Sequence, residues 1–211
     1  MLPAGYARLK LLFVDDDLPT RVLLRELLRG TGLQQVDIVD SAVTAFEMIR
    51  TDPPDLVFTD WQMQDRSGLD LLRDIRETSD SPDPLMPVIL LTAKDGQDSV
   101  IQGRNAGATA YLLKPITLGG IVDRITDAVT KPRTFVVSPN YIGPDRRLSR
   151  SPIANDRRAG VTPAIEGTII PPDHLLAAKV KGDRMALRQA LQAHADAIAL
   201  VRRIFQARLA A

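Results

Sequence analysis

The chain of 211 residues has no cysteine, one tryptophan and two histidines, and aromatic residues make up only 4% of it. Without cysteine, disulfide frameworks and thiolate metal sites are excluded. No apolar run approaches the roughly 18 residues needed to cross a bilayer, and the N-terminus lacks the apolar core and cleavage site of a signal peptide. These absences predict a cytoplasmic protein without membrane insertion.

Charge divides the chain into two unlike parts, although the formal net charge is only +1. Residues 1–130 contain 13 Lys and Arg against 20 Asp and Glu, whereas residues 131–211 contain 14 against 6. The first part is therefore acidic and the second basic. Since composition also changes at this point, we expect a domain boundary near residue 130.

Within residues 1–130, short apolar runs alternate with segments whose apolar residues recur every three or four positions. Runs of this kind suit strands covered by helices on both faces, and five βα units predict a doubly wound, five-stranded parallel sheet. The predicted strands are Leu11-Leu-Phe-Val14, Val36-Asp-Ile-Val39, Leu56-Val-Phe-Thr59, Val88-Ile-Leu-Leu-Thr92 and Ala110-Tyr-Leu-Leu113. In such sheets ligands bind at the carboxyl ends of the strands.

Polar residues occur at four of these strand ends. They are Asp15, Asp16 and Asp17 after the first strand, Asp60 after the third, Thr92 at the end of the fourth and Lys114 after the fifth. Converging carboxylates need a cation among them, and an oxygen-only ligand set suits Mg²⁺. A site with a carboxylate, Mg²⁺, a lysine and a hydroxyl is suited to phosphoryl transfer onto the carboxylate. Asp60 is the predicted nucleophile because it stands alone at its strand end.

These motifs resemble the receiver domain of bacterial two-component response regulators, in order and in spacing. The matching segments are Leu12-Phe-Val-Asp-Asp-Asp17, Pro54-Asp-Leu-Val-Phe-Thr-Asp60-Trp-Gln-Met63, Leu90-Leu-Thr-Ala93 and Tyr111-Leu-Leu-Lys-Pro115. The resemblance covers residues 9–130 and implies a flavodoxin-like fold. It also implies that Asp60 accepts a phosphoryl group from a sensor histidine kinase or a phosphotransfer protein. Such a protein is a phosphoacceptor in signalling and not an enzyme with an external substrate.

The resemblance further implies roles for the residues around Asp60. Asp16 and Asp60 would bind Mg²⁺ directly together with the backbone carbonyl of Gln62, while Asp15 would act largely through water. Thr92 would turn toward the phosphoryl group and Tyr111 would rotate inward. This population shift would reshape the surface formed by the fourth helix, the fifth strand and the fifth helix.

The second part of the chain is predicted as two segments. Seven prolines fall between residues 132 and 172, which predicts an irregular, basic linker arm over residues 131–172. Residues 173–211 are rich in Ala, Leu and Arg, which predicts a helical segment with a long terminal α-helix. The helix has an apolar seam with coiled-coil spacing, formed by Leu187, Leu191, His194, Ile198, Val201 and Phe205. Its partner could be a second chain, the first domain or another protein, and His194 is read as a packing residue.

Two output mechanisms follow for residues 131–211. With no convincing helix-turn-helix, the sequence argues against DNA binding as a transcription factor. The first hypothesis is phosphorylation-controlled dimerisation or binding of a downstream protein through the seam, for which Leu191, Ile198, Val201 and Phe205 are the candidates. The alternative is binding of a nucleotide such as cyclic di-GMP, or of nucleic acid, through Arg146, Arg147 and Arg150. The basic arm could also simply lie on the acidic domain.

Overall fold

The fold was analysed in a computed structural model, which describes residues 2–93, 97–138, 140–146, 168–172 and 174–209. A short 3-10 helix, Ala4–Arg8, precedes the first strand. The strands of the main sheet are β1 Lys10–Val14, β2 Gln35–Val39, β3 Leu56–Asp60, β4 Val88–Thr92 and β5 Ala110–Leu113. The intervening helices are α1 Leu18–Leu28, α2 Ala42–Thr51, α3 Gly68–Glu77, α4 Gln97–Asn105 and α5 Leu118–Thr130.

The five strands are all parallel and lie in the order β2-β1-β3-β4-β5. Strand order reverses at β1, so the carboxyl ends of β1 and β3 flank the switch point where open α/β sheets bind ligands. Leu11 and Phe13 of β1 pack against α1 and α5, while Leu12 and Val14 pack on the opposite side, with α2 and α3. The predicted doubly wound sheet is therefore confirmed.

Helix starts are fixed by side chains that the sequence supplies at the right positions. Asp17 begins α1 by accepting from the backbone N–H of Thr20 at 2.9 Å, and Ser41 begins α2 in the same way with Thr44. Ser67 and Asp70 form a reciprocal capping box at α3. These contacts satisfy backbone donors that have no partner within the helix. As a consequence, Asp17 acts as a helix cap, beside the acidic site.

The segment predicted as an irregular arm, residues 131–172, contains a small sheet. Strands β6 Phe135–Ser138, β7 Tyr141–Pro144 and β8 Thr168–Ile170 form an antiparallel sheet in the order β7-β6-β8. Prolines did not prevent these strands because each strand is short and Pro144 ends an edge strand, where a ladder donor is not needed. An irregular arm is thus wrong for residues 135–138, 141–144 and 168–170.

The terminal segment contains two helices, α6 Leu175–Lys181 and α7 Arg184–Leu209, separated by Gly182 in a left-handed conformation with φ of 71°. The predicted long terminal helix is confirmed as α7. Helix α6 packs on the α1/α5 side of the main sheet through Leu176. Among the described residues, no helix is long and apolar enough to cross a membrane.

The seam of α7 packs mainly on its own chain. Val201 is fully buried in a cluster with Phe135, Ile142 and Ile170 of the small sheet and with Leu85 of the receiver region. Ile198 and Phe205 pack against the same cluster. The N-terminal half of the seam is more exposed, since the Leu191 side chain there is 51% exposed. The C-terminal half of the seam therefore packs mainly on the small sheet, which was not among the three partners considered, and reaches the first domain through Leu85.

Candidate functional site

The strand-end carboxylates converge as the sequence predicted. Asp15, Asp16 and Asp60 each present an oxygen within 4.8 Å of the others. Asp15 is fully buried and Asp60 is 8% exposed, so their charges are poorly solvated. Three hard oxygen ligands this close together fit a divalent cation such as Mg²⁺, which receiver domains generally bind.

Lys114 neutralises the two most buried carboxylates. Its Nζ donates to Asp60 Oδ2 at 2.9 Å and to Asp15 Oδ2 at 3.1 Å. Burial lowers the pKa of Lys114, but its hydrogen bonds and proximity to the two carboxylates outweigh burial and leave that pKa above its ordinary value. Lys114 is therefore a positive charge held between Asp15 and Asp60.

Backbone N–H groups also bind the side chains of Asp15 and Asp16. Asp15 Oδ1 accepts from the N–H of Asp17 at 3.0 Å, and Asp16 Oδ2 accepts from the N–H of Gln64 at 2.8 Å. The guanidinium of Arg21 donates to the carbonyl of Asp15 at 2.9 Å. These bonds orient the acidic side chains before any ligand binds, which lowers the cost of forming a metal site.

A cleft of about 170 Å³ opens onto the carboxylate of Asp60. It is lined by Asp60, Trp61, Gln62, Thr92, Ala93 and Lys114. Thr92 is 3% exposed at the end of β4, and Gln62 lies in the loop after β3. The structure therefore brings together the nucleophile, hydroxyl and lysine that the sequence selected, with Gln62 beside them.

Tyr111, the predicted switch residue, lies inward. It is half-buried and packs against the cluster that contains Trp61 and Leu90. Burial raises the pKa of its hydroxyl above the ordinary value, and Arg104 and Tyr141 are close enough to act on it electrostatically. The structure thus places Tyr111 against this cluster, and its role as a switch stays a prediction.

Of the three arginines proposed to bind a nucleotide, only Arg146 is described. Its guanidinium donates to the carbonyl of Asn105 at 3.1 Å and stacks over the ring of Tyr141 at 3.6 Å. Arg147 and Arg150 lie outside the described residues. Since Arg146 is engaged within its own chain, the nucleotide-binding alternative stays a prediction from the sequence.

One buried charge escaped the sequence-based prediction. Arg76 of α3 is fully buried and donates to the carbonyls of Gly107 and Pro84, at 3.1 and 2.8 Å for its two terminal nitrogens. Its guanidinium also lies 5.2 Å from the centre of the Phe135 ring. The only sequence signal was its spacing of four from the buried Leu72, which places Arg76 on the apolar face of α3.

This combination of fold and site defines a receiver domain: a doubly wound parallel sheet with three carboxylates, a threonine and a lysine at its carboxyl edge. Residues 11–126 match the family described as the response regulator receiver domain. Because that match covers more than half of the chain, the chain belongs to this family. It is accordingly a protein of two-component signalling.

Relatives and solved structures agree with this assignment. Chemotaxis protein CheY-3 of Vibrio cholerae is 32% identical over 117 residues, which make up 56% of this chain and 88% of that protein. Chemotaxis protein CheY of Pseudomonas aeruginosa is 33% identical over 117 residues, covering 56% and 93% respectively. The receiver domain of a Francisella response regulator superposes with a TM-score of 0.50 at 26% identity, covering 56% of this chain and 93% of that one.

Burial of the Asp60 carboxylate should lower the stability of the folded protein. Burial raises the pKa of Asp60 because desolvation outweighs its bonds to Lys114, so the charged form is disfavoured in the folded, metal-free protein. We expect Asp60→Asn to stabilise the protein by about 1 kcal/mol at pH 7 in excess chelator. Below the unfolded-state pKa of Asp60 both states are protonated, so the advantage should shrink as pH falls toward 4.

Urea titrations at pH 7 and pH 4 measure this effect. Asp52→Asn is the control, because the Asp52 side chain is 77% exposed and pairs with Lys10, away from the acidic site. If Asp60→Asn were less stable than wild type at pH 7, burial of the charged carboxylate would not destabilise the protein. The same conclusion would follow if the gain in stability over wild type were equal at both pH values.

Proposed function

We propose that Asp60 accepts a phosphoryl group from a sensor histidine kinase or a phosphotransfer protein. Asp16, Asp60 and the carbonyl of Gln62 would hold Mg²⁺, with Asp15 acting through water. The observation that carries the proposal is the position of Lys114, whose Nζ bridges Asp15 and Asp60 at 3.1 and 2.9 Å. The cleft beside Asp60 leaves this carboxylate open to a phosphodonor.

The chain's own residues divide the work of phosphoryl transfer. The Asp60 carboxylate attacks phosphorus and forms an acyl phosphate as the N–P bond to the donor histidine breaks and its imidazole leaves, while Lys114 and the Thr92 hydroxyl bind phosphoryl oxygens. Mg²⁺ would neutralise charge on the phosphoryl oxygens. Asp15 and Asp16, fixed by backbone N–H groups, would hold the metal beside the nucleophile.

Trp61 provides a direct test because it is the only tryptophan and adjoins Asp60. Beryllofluoride with Mg²⁺ mimics a phosphorylated aspartate, and its binding should change the fluorescence of Trp61 in the full chain. Asp60→Asn should abolish this response. An equal response in Asp60→Asn would overturn the assignment of Asp60 as the acceptor.

We further propose that the output is protein binding, either dimerisation or capture of a downstream protein through α7. The exposed part of the seam supports this proposal: Leu191 is 51% exposed, and Leu187 and Leu191 flank a shallow groove with Arg184 and Arg188. The buried part of the seam, including Val201, holds α7 on its own chain. Binding to a partner is therefore assigned to the N-terminal half of α7.

The dimer version predicts a change in mass with a single substitution. Leu191→Glu should prevent assembly, measured by light scattering in the presence of beryllofluoride and Mg²⁺, because it places a charge in the centre of an apolar contact. Gln206→Glu introduces the same charge at an exposed position near the other end of α7, outside this groove, and should leave the mass unchanged. If wild type and Leu191→Glu have the same mass with and without beryllofluoride, the dimer version is wrong and an external partner remains.

A further inference from the structure

Two residues of the C-terminal part contact the last turn of α4. The final carbonyls of a helix have no partner within it. Arg146 donates to the carbonyl of Asn105 at 3.1 Å, and the Tyr141 hydroxyl lies 3.5 Å from the carbonyl of Arg104. Arg146 also stacks on the Tyr141 ring, and the hydroxyl of Tyr141 donates to the carbonyl of Pro144 at 2.7 Å. Strand β7 and the residues after it therefore fix the end of α4.

The backbone beyond α4 is shaped to receive this strand. Gly107 has φ of +92°, and a Cβ there would lie 2.6 Å from the carbonyl oxygen of Ile142 in β7. A side chain at this position would thus be strained by the backbone and would also push the strand away. The close approach of β7 to the α4–β5 turn is consequently built into the receiver sequence itself.

On its other side, the same part of α4 contacts the switch tyrosine. Gly103 is buried in the helix, and a Cβ there would lie 2.9 Å from the hydroxyl oxygen of Tyr111 and 2.7 Å from Leu90. Glycine in a helix interior destabilises the helix, yet here it lets the Tyr111 hydroxyl lie directly against the helix. The inward position of Tyr111 consequently depends on where the last turns of α4 lie.

We propose that Tyr141 and Arg146 are positioning residues for the switch: by holding the end of α4, they favour the inward position of Tyr111 that accompanies a phosphoryl group on Asp60. The proposal rests on the phosphoacceptor function proposed above. Linkage between two sites is reciprocal, so occupation of the Asp60 site should in turn tighten β7 on α4. The C-terminal part is thereby coupled to the phosphorylation state through α4.

The first test is a beryllofluoride titration of the full chain with saturating Mg²⁺, followed by Trp61 fluorescence. Arg146→Ala removes both the bond to Asn105 and the stacking on Tyr141. We expect the beryllofluoride concentration at the midpoint of its titration to rise about fivefold. Arg146→Lys keeps the cation and should recover part of this loss. Arg29→Ala is the control, because the Arg29 side chain, directly after α1, is 77% exposed, and its midpoint should equal that of wild type.

The outcomes distinguish this inference from the proposed function. If wild type shows no response to beryllofluoride, the phosphoacceptor function fails. If wild type responds and Arg146→Ala has the same midpoint, the positioning role is overturned while the acceptor function stands. Thermal unfolding of Arg146→Ala without beryllofluoride shows whether the variant is folded, and unchanged Mg²⁺ affinity shows that its metal site is intact.

Hydrogen exchange provides a second test. If Tyr141 and Arg146 only stabilised the fold, exchange would not depend on whether the Asp60 site is occupied. Amides of residues 135–138 and 141–143 should exchange more slowly when beryllofluoride and Mg²⁺ are added to wild type, because strand β7 binds α4 more tightly. Asp60→Asn should show no such slowing. Unchanged or faster exchange in beryllofluoride-bound wild type would contradict the proposed coupling.

Discussion

Replacing Lys114 with Ala is expected to lower the rate of phosphoryl transfer to Asp60 from a small-molecule phosphodonor by about 10²- to 10³-fold. Lys114 is the only lysine or arginine within bonding distance of both Asp15 and Asp60 among the described residues. Without it, the negative charge on the phosphoryl oxygens would lose a fixed positive partner in a partly buried site, where charges are weakly screened.

The same substitution should leave Mg²⁺ binding intact or strengthen it, because it removes a cation that competes for the carboxylates. Fluorescence of Trp61 measures Mg²⁺ affinity, and intact mass spectrometry measures the rate of phosphorylation. Lys179→Ala is the matched control: it also removes a lysine bound to a carboxylate, that of Asp55 at 2.6 Å, but outside the acceptor cleft. Equal phosphorylation rates in Lys114→Ala and Lys179→Ala would show that Lys114 has no role in transfer.

Arg76→Ala should cost about 3 to 5 kcal/mol of folding free energy, a large fraction of the 5 to 15 kcal/mol typical of a domain. Burial lowers the pKa of Arg76 to about 10, so the guanidinium remains charged at neutral pH. The substitution would leave the carbonyls of Gly107 and Pro84 without this donor and open a cavity beneath Phe135.

Urea titration measures this loss directly. Arg73→Ala changes a neighbouring arginine on α3 whose side chain is 55% exposed, and it should cost less than about 0.5 kcal/mol. Arg76→Met keeps much of the buried volume without the donors, so it should lie between wild type and Arg76→Ala. If Arg76→Ala were as stable as Arg73→Ala, the bonds of the buried Arg76 guanidinium would not stabilise the fold.

The receiver fold could be predicted because its signals are local. Continuous apolar strands such as Val88–Thr92 and caps such as Ser41 lie within single βα units, so period and punctuation identify them. The acceptor site was predictable for a related reason. Parallel strands bring their carboxyl ends to one edge, so Asp15, Asp60 and Lys114 were expected to meet there without knowledge of any side-chain position.

The small sheet could not be predicted in the same way, since its pairing is not local. The paired residues of β6 and β8 are 31 to 35 positions apart in the sequence, and Val201 covers the sheet from α7. The strands are only three or four residues long, too short for a period to stand out among prolines. The small sheet also places Phe135 over the guanidinium of Arg76, so the burial of Arg76 could not be predicted from the sequence either.

The central claim is that Asp60 is the phosphoryl acceptor, and intact mass spectrometry of the full chain tests it most directly. Wild type, Asp60→Asn and Asp16→Asn would be incubated with acetyl phosphate and Mg²⁺, with excess chelator as a parallel condition. We predict that wild type gains one phosphoryl group only when Mg²⁺ is free, that Asp60→Asn gains none and that Asp16→Asn gains it far more slowly. Phosphorylation of Asp60→Asn at the wild-type rate would contradict the claim.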